Sequence, residues 1–171
     1  MDRANPPINS ILEQAACIVR RSKEAAGTLE TTESYKRKQI KELIKFTNLN
    51  SLWVDLSDFD VTYMDKGGEN EVFHDGNISV IKLNNFEYAG EDLENFFIRI
   101  FAHNKFFSNV PYHMIGFTYN SQHEFCAVLI QPYIKAEREA TEDEIAEYME
   151  ALGFEIDYID EFQALSTILC K

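Results

Sequence analysis

Lys66-Gly67-Gly68-Glu69-Asn70-Glu71-Val72-Phe73-His74-Asp75-Gly76-Asn77-Ile78-Ser79-Val80-Ile81-Lys82-Leu83 is the stretch on which the fold turns. Two β-prone runs, Glu71 to His74 and Ile78 to Leu83, flank Asp75-Gly76-Asn77, and Asp-Gly supplies the positive backbone dihedrals that a tight hairpin requires. A glycine pair precedes the first run, and a turn stripped of side chains lets backbone amides approach phosphate oxygens. The second run carries Lys82 between Ile81 and Leu83, and a lysine buried in such a place needs an anion to offset its desolvation. Spacing alone fits two readings equally: an anion-facing Lys82 near a glycine turn, or an edge-strand lysine facing water.

Upstream of the hairpin, Leu52 to Leu56 and Val61 to Met64 read as further strands. Downstream, Glu91 to Phe107 returns to helical spacing, with Leu93, Phe96, Phe97, Ile100 and Phe101 on one apolar face. Two more strands follow, Tyr112 to Tyr119 and Glu124 to Gln131, separated by Asn120-Ser121-Gln122. This order, built on antiparallel hairpins with one helix inserted, predicts an α+β fold and excludes a parallel crossover architecture. Before it, Ile8, Ile11, Leu12, Ala15, Ala16 and Val19 mark a first helix, and Thr31 to Thr47 a second, packed as an antiparallel pair. After it, Thr141-Glu-Asp-Glu144 is a capping box that starts a helix ending near Gly153. The division expected is a helical extension over 1–50, a sheet domain over 51–135 and an acidic helical segment over 136–171, forming one compact unit.

A chain of 171 residues with 45% hydrophobic content and thirteen Phe is long enough to bury an aromatic core. Its net charge of −13 argues against nucleic acid or anionic lipid as a partner. Acid is concentrated from Ala136 onward, where eleven Asp or Glu face only Arg138 and Lys171; a solvated helix face accounts for Glu142 to Glu150, with partner docking as the other reading. Cys17, Cys126 and Cys170 show no Cys-x-x-Cys spacing, which fits a reducing cytoplasm better than a disulfide framework. No apolar run reads as a signal peptide or membrane span. His74, His103, His113 and His123 share no ligand spacing, so no metal is expected; His103 reads as a partly buried structural residue and Cys126 as an inert core thiol.

Several motifs then carry a resemblance: Tyr35-Lys-Arg-Lys-Gln-Ile40, the Trp53 run, Gly68-Glu-Asn-Glu-Val72, Val80-Ile-Lys-Leu83, His103-Asn104 with Phe106-Phe107, Gly116-Phe117, Gln131-Pro-Tyr133, Ala140-Thr141 and Tyr148-Met-Glu-Ala-Leu-Gly-Phe154. Over about Tyr35 to Phe154 the chain resembles the serine/threonine/tyrosine kinase domain found in polyvalent proteins of mobile elements and gut bacteria. The resemblance implies a kinase small lobe: a five-stranded antiparallel sheet with one packed helix. It implies Lys82 as the phosphate-contacting lysine, Gly67, Gly68 and Val72 as the lid over a nucleotide, and Glu94 as the helix carboxylate that orients the lysine, with Glu91 the other choice. Gln131 to Tyr133 would form the hinge against the adenine, and Ile130 would stand just before it.

Two departures bear on activity. Of three glycines in a full kinase turn only Gly67 remains, with Asp65 and Asn70 at the other positions; Asn tolerates left-handed angles, while a carboxylate at 65 repels phosphate. No His-Arg-Asp or Asp-Phe-Gly sequence occurs, and no Asn follows Asn120, so the groups that activate the hydroxyl and hold magnesium have no counterpart. Asp157 and Asp160 have no framework that makes them replacements. The expectation is a non-catalytic binding module, acting through a protein partner or a homodimer on its open face, with ATP and magnesium as the ligand of any residual nucleotide binding. The alternatives are an atypical or truncated kinase, or a nucleotidyl transferase, that holds the nucleotide with Lys82 and Glu94 and takes its missing carboxylates from Asp157 and Asp160 or from another chain, and a degenerate fragment without activity.

Overall fold

A computed structural model describes residues 10–24, 32–76, 78–155 and 169–170. Ile8, Asn77, Asp157 and Asp160, singled out above, lie outside the described residues. These residues fall into two compact units, the first ending at Tyr133 and the second beginning at Ile134.

The first unit opens with α1 (Ser10–Glu24) and α2 (Thr32–Asn50). The sheet follows as β1 (Thr62–Lys66), β2 (Asn70–His74), β3 (Ser79–Asn84), then α3 (Glu94–Phe106), β4 (His113–Tyr119) and β5 (Phe125–Pro132). All five strands pair antiparallel in the order β1-β2-β3-β5-β4. The α+β architecture read from the sequence, with two leading helices, a five-stranded antiparallel sheet and one packed helix, is the one observed. The β2–β3 hairpin turns at Gly76 with φ of 72°, which is the left-handed angle that selected glycine there.

Both faces of the inner strands are covered, while β1 at the edge is exposed along its length. On one, α1 contributes Leu12, Ala15, Ala16 and Val19, α2 contributes Leu43 and Phe46, and α3 contributes Phe96, Phe97 and Ile100 to a core shared with Met114, Phe117, Phe125, Ala127 and Leu129. Each fully buried Leu or Phe there stabilises the fold by roughly 1.5–3 kcal/mol. The helices marked off by the sequence as an extension are thus part of the same core as the sheet. On the other face, Ile81, Leu83, Cys126 and Val128 are packed by Val54, Leu56, Phe59 and Val61.

That covering segment corrects one expectation. Leu52 to Leu56 is not a sheet strand; it makes a single parallel bridge, Trp53 to Phe117, and then a short 3-10 turn at Leu56–Asp58 capped by the Asp55 side chain. β4 bulges between Met114 and Gly116 to receive it, with Phe117 donating to the Leu52 carbonyl at 2.9 Å and Val54 donating to the Phe117 carbonyl at 2.8 Å. Phe101, placed in the core by its spacing, is 37% exposed, because the buried stripe of α3 is Phe96, Phe97 and Ile100.

The second unit holds α4 (Glu142–Ala151) and a two-stranded ribbon of β6 (Phe154–Glu155) and β7 (Leu169–Cys170). The predicted capping box is present: Thr141 Oγ1 accepts from the Glu144 amide, and the Glu144 carboxylate accepts from the Thr141 amide at 2.9 Å. Among the described residues no helix is long and apolar enough to cross a membrane.

Candidate functional site

The strand register places the residues that the sequence nominates. Val72 pairs with Lys82, Lys82 with Leu129, and Leu129 with Met114, so these four share one row. Leu129 and Met114 belong to the helix-side core, whereas Ile81 and Leu83 face the other way. Lys82 is therefore a half-buried lysine on the α3 side of the sheet, and not an edge lysine facing water. β3 lies between β2 and β5.

The partner of Lys82 is where the structure departs from expectation. Its ammonium lies 3.2 Å from the Tyr112 hydroxyl and 5.0 Å from the centre of that ring, which puts it at the oxygen end of the phenol. Among the described residues no carboxylate forms an ion pair with Lys82. Glu94, the helix residue expected to orient it, is turned to α1, where its carboxylate meets Arg20 at 2.8 Å and Lys23 at 3.6 Å. The reason is its position: Glu94 begins α3, beside the clasp that fixes the helix start. Glu91, the other choice, is exposed ahead of the helix.

That clasp is tightly specified. Asp92 accepts from Gln39 Nε2 at 2.8 Å, from Lys23 Nζ at 2.9 Å and from the Glu94 amide at 2.9 Å. Gln39, fully buried, also accepts from the Leu93 amide at 2.9 Å. Burial pushes the Asp92 carboxyl upward, and the hydrogen bonds from Gln39, Lys23 and the Glu94 amide outweigh it, holding the group below its ordinary value.

The glycine turn joins β1 to β2 and is pinned on all sides. The Gly67 amide closes the turn on the Asn70 carbonyl at 2.9 Å, and the Glu69 carbonyl accepts from the Asn85 amide at 3.1 Å. The Tyr88 ring packs on Gly68. Glu69 pairs with Arg99 of α3 at 3.2 Å, and Lys66 reaches Gln122 at 2.6 Å and Glu71 at 3.1 Å. Asp65, suspect as a phosphate repellent, accepts from the Lys66 amide at 2.7 Å. Between this turn, α3 and the sheet lies a cavity of about 180 Å³ lined by Asn70, Asn84, Arg99, His103, Tyr112 and Leu129, among others.

At the end of the sheet opposite the glycine turn, Ile130, Gln131 and Pro132 finish β5. The Gln131 amide group donates to the Val110 carbonyl at 3.0 Å and lies 3.3 Å from His103 Nε2. The Tyr133 backbone amide donates to the Ile78 carbonyl at 2.6 Å, and its ring meets His74 edge-on at 4.6 Å. The structure thus brings Val72 and Lys82 together, places Gly67 and Gly68 in the β1–β2 turn, and sets Gln131 and Tyr133 at the sheet's far end.

Tyr112, Asn104, Arg99, Gln39 and Asp92 were not nominated by the sequence. The one local signal is that Asn104 stands in the His103-Asn104 motif and Gln39 in the Tyr35 to Ile40 motif, neither with a site role attached.

A family model described as Serine/Threonine/Tyrosine Kinase found in polyvalent proteins matches residues 36–166. No curated protein and no solved structure matches the chain.

Proposed function

Because the chain belongs to the family of serine/threonine/tyrosine kinases found in polyvalent proteins, we propose that its 171 residues form a kinase small-lobe-like binding module that transfers no phosphate with its own side chains. A small lobe competent for phosphoryl transfer sets its β3 lysine against a glutamate from the packed helix. The observation that carries the reading is that Lys82 is held by a phenol, while Glu94 is committed to Arg20 and Lys23. The absence of His-Arg-Asp and Asp-Phe-Gly sequences points the same way.

The module acts by contact. Its protein partner, or a second copy, meets apolar groups left outside the core, such as Ile98 and Phe101 on α3 and Tyr63 and Met64 on β1. Residual ATP binding with magnesium is the second mechanism, and the row of Val72, Lys82 and Leu129 next to the glycine turn favours it. Against strong binding stand the Gly67 and Tyr133 amides, both already donated within the chain.

Titration calorimetry of the full chain with ATP and magnesium, light scattering at increasing concentration, and ATP-hydrolysis and autophosphorylation assays of the parent and Lys82→Met test this. Background hydrolysis in both proteins, with self-association or weak ATP uptake, is the expected result. Hydrolysis that disappears in Lys82→Met would replace the reading with an atypical kinase drawing its carboxylates from elsewhere. A strict monomer that takes up no ATP would remove both binding mechanisms.

A further inference from the structure

We infer that Tyr112 is the positioning residue of Lys82, and that α3 governs Lys82 through Tyr112 with an uncharged relay in place of a direct ion pair. The inference rests on the reading of Lys82 as the anion-facing residue of the module, and deepens it.

The relay is short, and each link is a direct contact in the structure. Asn104, in the last turn of α3, grips the Tyr112 backbone at both ends: its Nδ2 donates to the Tyr112 carbonyl at 2.8 Å, and its Oδ1 accepts from the Tyr112 amide at 2.7 Å. One turn of helix supplies a second hold, since the His103 ring lies 4.5 Å from the Tyr112 ring. His103 is fixed in turn by the Val110 carbonyl, 2.9 Å from Nε2, and that same carbonyl accepts from Gln131. Backbone and ring of Tyr112 are thus both set by α3. Its hydroxyl then receives Lys82 at 3.2 Å.

The direct alternative is not the pairing formed, since Glu94 meets Arg20 and Lys23. Glu94 and Asn104 are ten residues apart on one helix, about 15 Å along its axis at 1.5 Å per residue. α3 lines the cavity beside Tyr112 with Phe96, Arg99, Ile100 and His103, and the one carboxylate of the helix is Glu94 at its start. A phenol orients an ammonium without neutralising it, so Lys82 keeps its charge for a ligand's anion.

Amine labelling tests the relay without any nucleotide, so its failure is separate from a failure to bind ATP. The full chain is acetylated at trace level, and incorporation at Lys82 is read by mass spectrometry relative to Lys45 in the same molecule. In Tyr112→Phe, which keeps the ring, the Lys82 to Lys45 ratio is expected to rise about two- to tenfold, the range that one lost hydrogen bond provides. Asn104→Ala is expected to change it in the same direction, and Glu94→Gln to leave it unchanged. Thermal melts establish that each variant is folded; should Asn104→Ala fail to fold, Tyr112→Phe decides alone. An unchanged ratio in folded Tyr112→Phe, or a rise in Glu94→Gln matching that of Tyr112→Phe, would overturn the inference.

Discussion

The Tyr88 hydroxyl fills the space that a side chain at residue 68 would need. Tyr88 is exposed, and the atoms in the way are the far end of its ring, so Gly68→Ala is accommodated by a swing of that ring. Gly116 is constrained differently. Its φ is +153°, and an added Cβ would meet the Leu52 backbone carbonyl and a Val54 methyl, neither of which can withdraw without undoing the bridge at Trp53. Gly68→Ala is expected to change stability by about 0.5 kcal/mol or less. Gly116→Ala should cost about 2–3 kcal/mol. Urea unfolding of the two variants measures the difference, and equal effects would contradict this account.

Gln39 and Asp92 predict a pH-dependent anchor for α3. Asp92→Asn is expected to destabilise the chain by about 1–2 kcal/mol at neutral pH, the scale of a lost helix cap with its hydrogen bonds. Because the folded Asp92 carboxyl is held below its ordinary value, the stabilisation is complete above the unfolded carboxylate pKa of about 3.9. It fades as pH falls through the lower folded value. The gap between wild type and Asp92→Asn, read from denaturant melts, should therefore narrow at pH 3. A gap that widens in acid would be the wrong sign.

Gln39→Leu is a sterner test of the same clasp. It strands the buried Leu93 amide and removes a donor from Asp92, an error worth about 1–3 kcal/mol per unsatisfied group. Hydrogen exchange at the Leu93 and Glu94 amides should accelerate with it. Unchanged protection there would show that α3 is anchored by its apolar face alone.

In the second unit, the Arg138 guanidinium grips Glu144 through both oxygens, at 2.6 and 2.8 Å. Together with the Thr141 amide it brings the Glu144 carboxyl down to about 2. The cap is intact above the ordinary glutamate range of about 4.3 and is lost as pH falls through about 2. Carboxyl-carbon NMR of Arg138→Gln should show the Glu144 midpoint moving back up toward the ordinary range. An unmoved midpoint would assign the depression to the backbone amide.

Cys126 has no exposed surface, and burial pushes its thiol up to about 12. Iodoacetamide at pH 8 should leave Cys126 unmodified in the folded chain and alkylate it in denaturant, as peptide mass spectrometry would resolve. Rapid labelling under native conditions would mean that the sheet opens.

Features encoded by neighbours in sequence were legible, and those encoded by distant ones were not. Asp75-Gly76 declares its hairpin locally, and Thr141-Glu-Asp-Glu144 its cap. Leu52 to Leu56 has strand composition, yet it ends as a lid because the Gly116 bulge, sixty residues later, admits one bridge and no ladder. The row that holds Val72 and Lys82 followed from the hairpin, but the Lys82 partner did not. Glu94 fits the expected order of motifs, and only the fold reveals Arg20, 74 residues away, as its counterion. Tyr112 offers nothing in its own neighbourhood to say that a lysine 30 residues earlier will seek its hydroxyl.

The five consecutive buried residues from Phe125 to Leu129 have a consequence for how the chain finds its alignment. A strand greasy on both sides gains no advantage from lying one way up over the other, so a slip by one position would swap two oily surfaces without wetting either. Volume and notch must do the sorting: Phe125, Ala127 and Leu129 suit the hollow beneath the helices, Cys126 and Val128 the shallower lid, and the bare α-carbon of Gly116 marks where the Leu52 to Val54 segment crosses β4. Fidelity of pairing in this sheet is a matter of fit at a handful of sites, set by how small a residue is where two backbones cross.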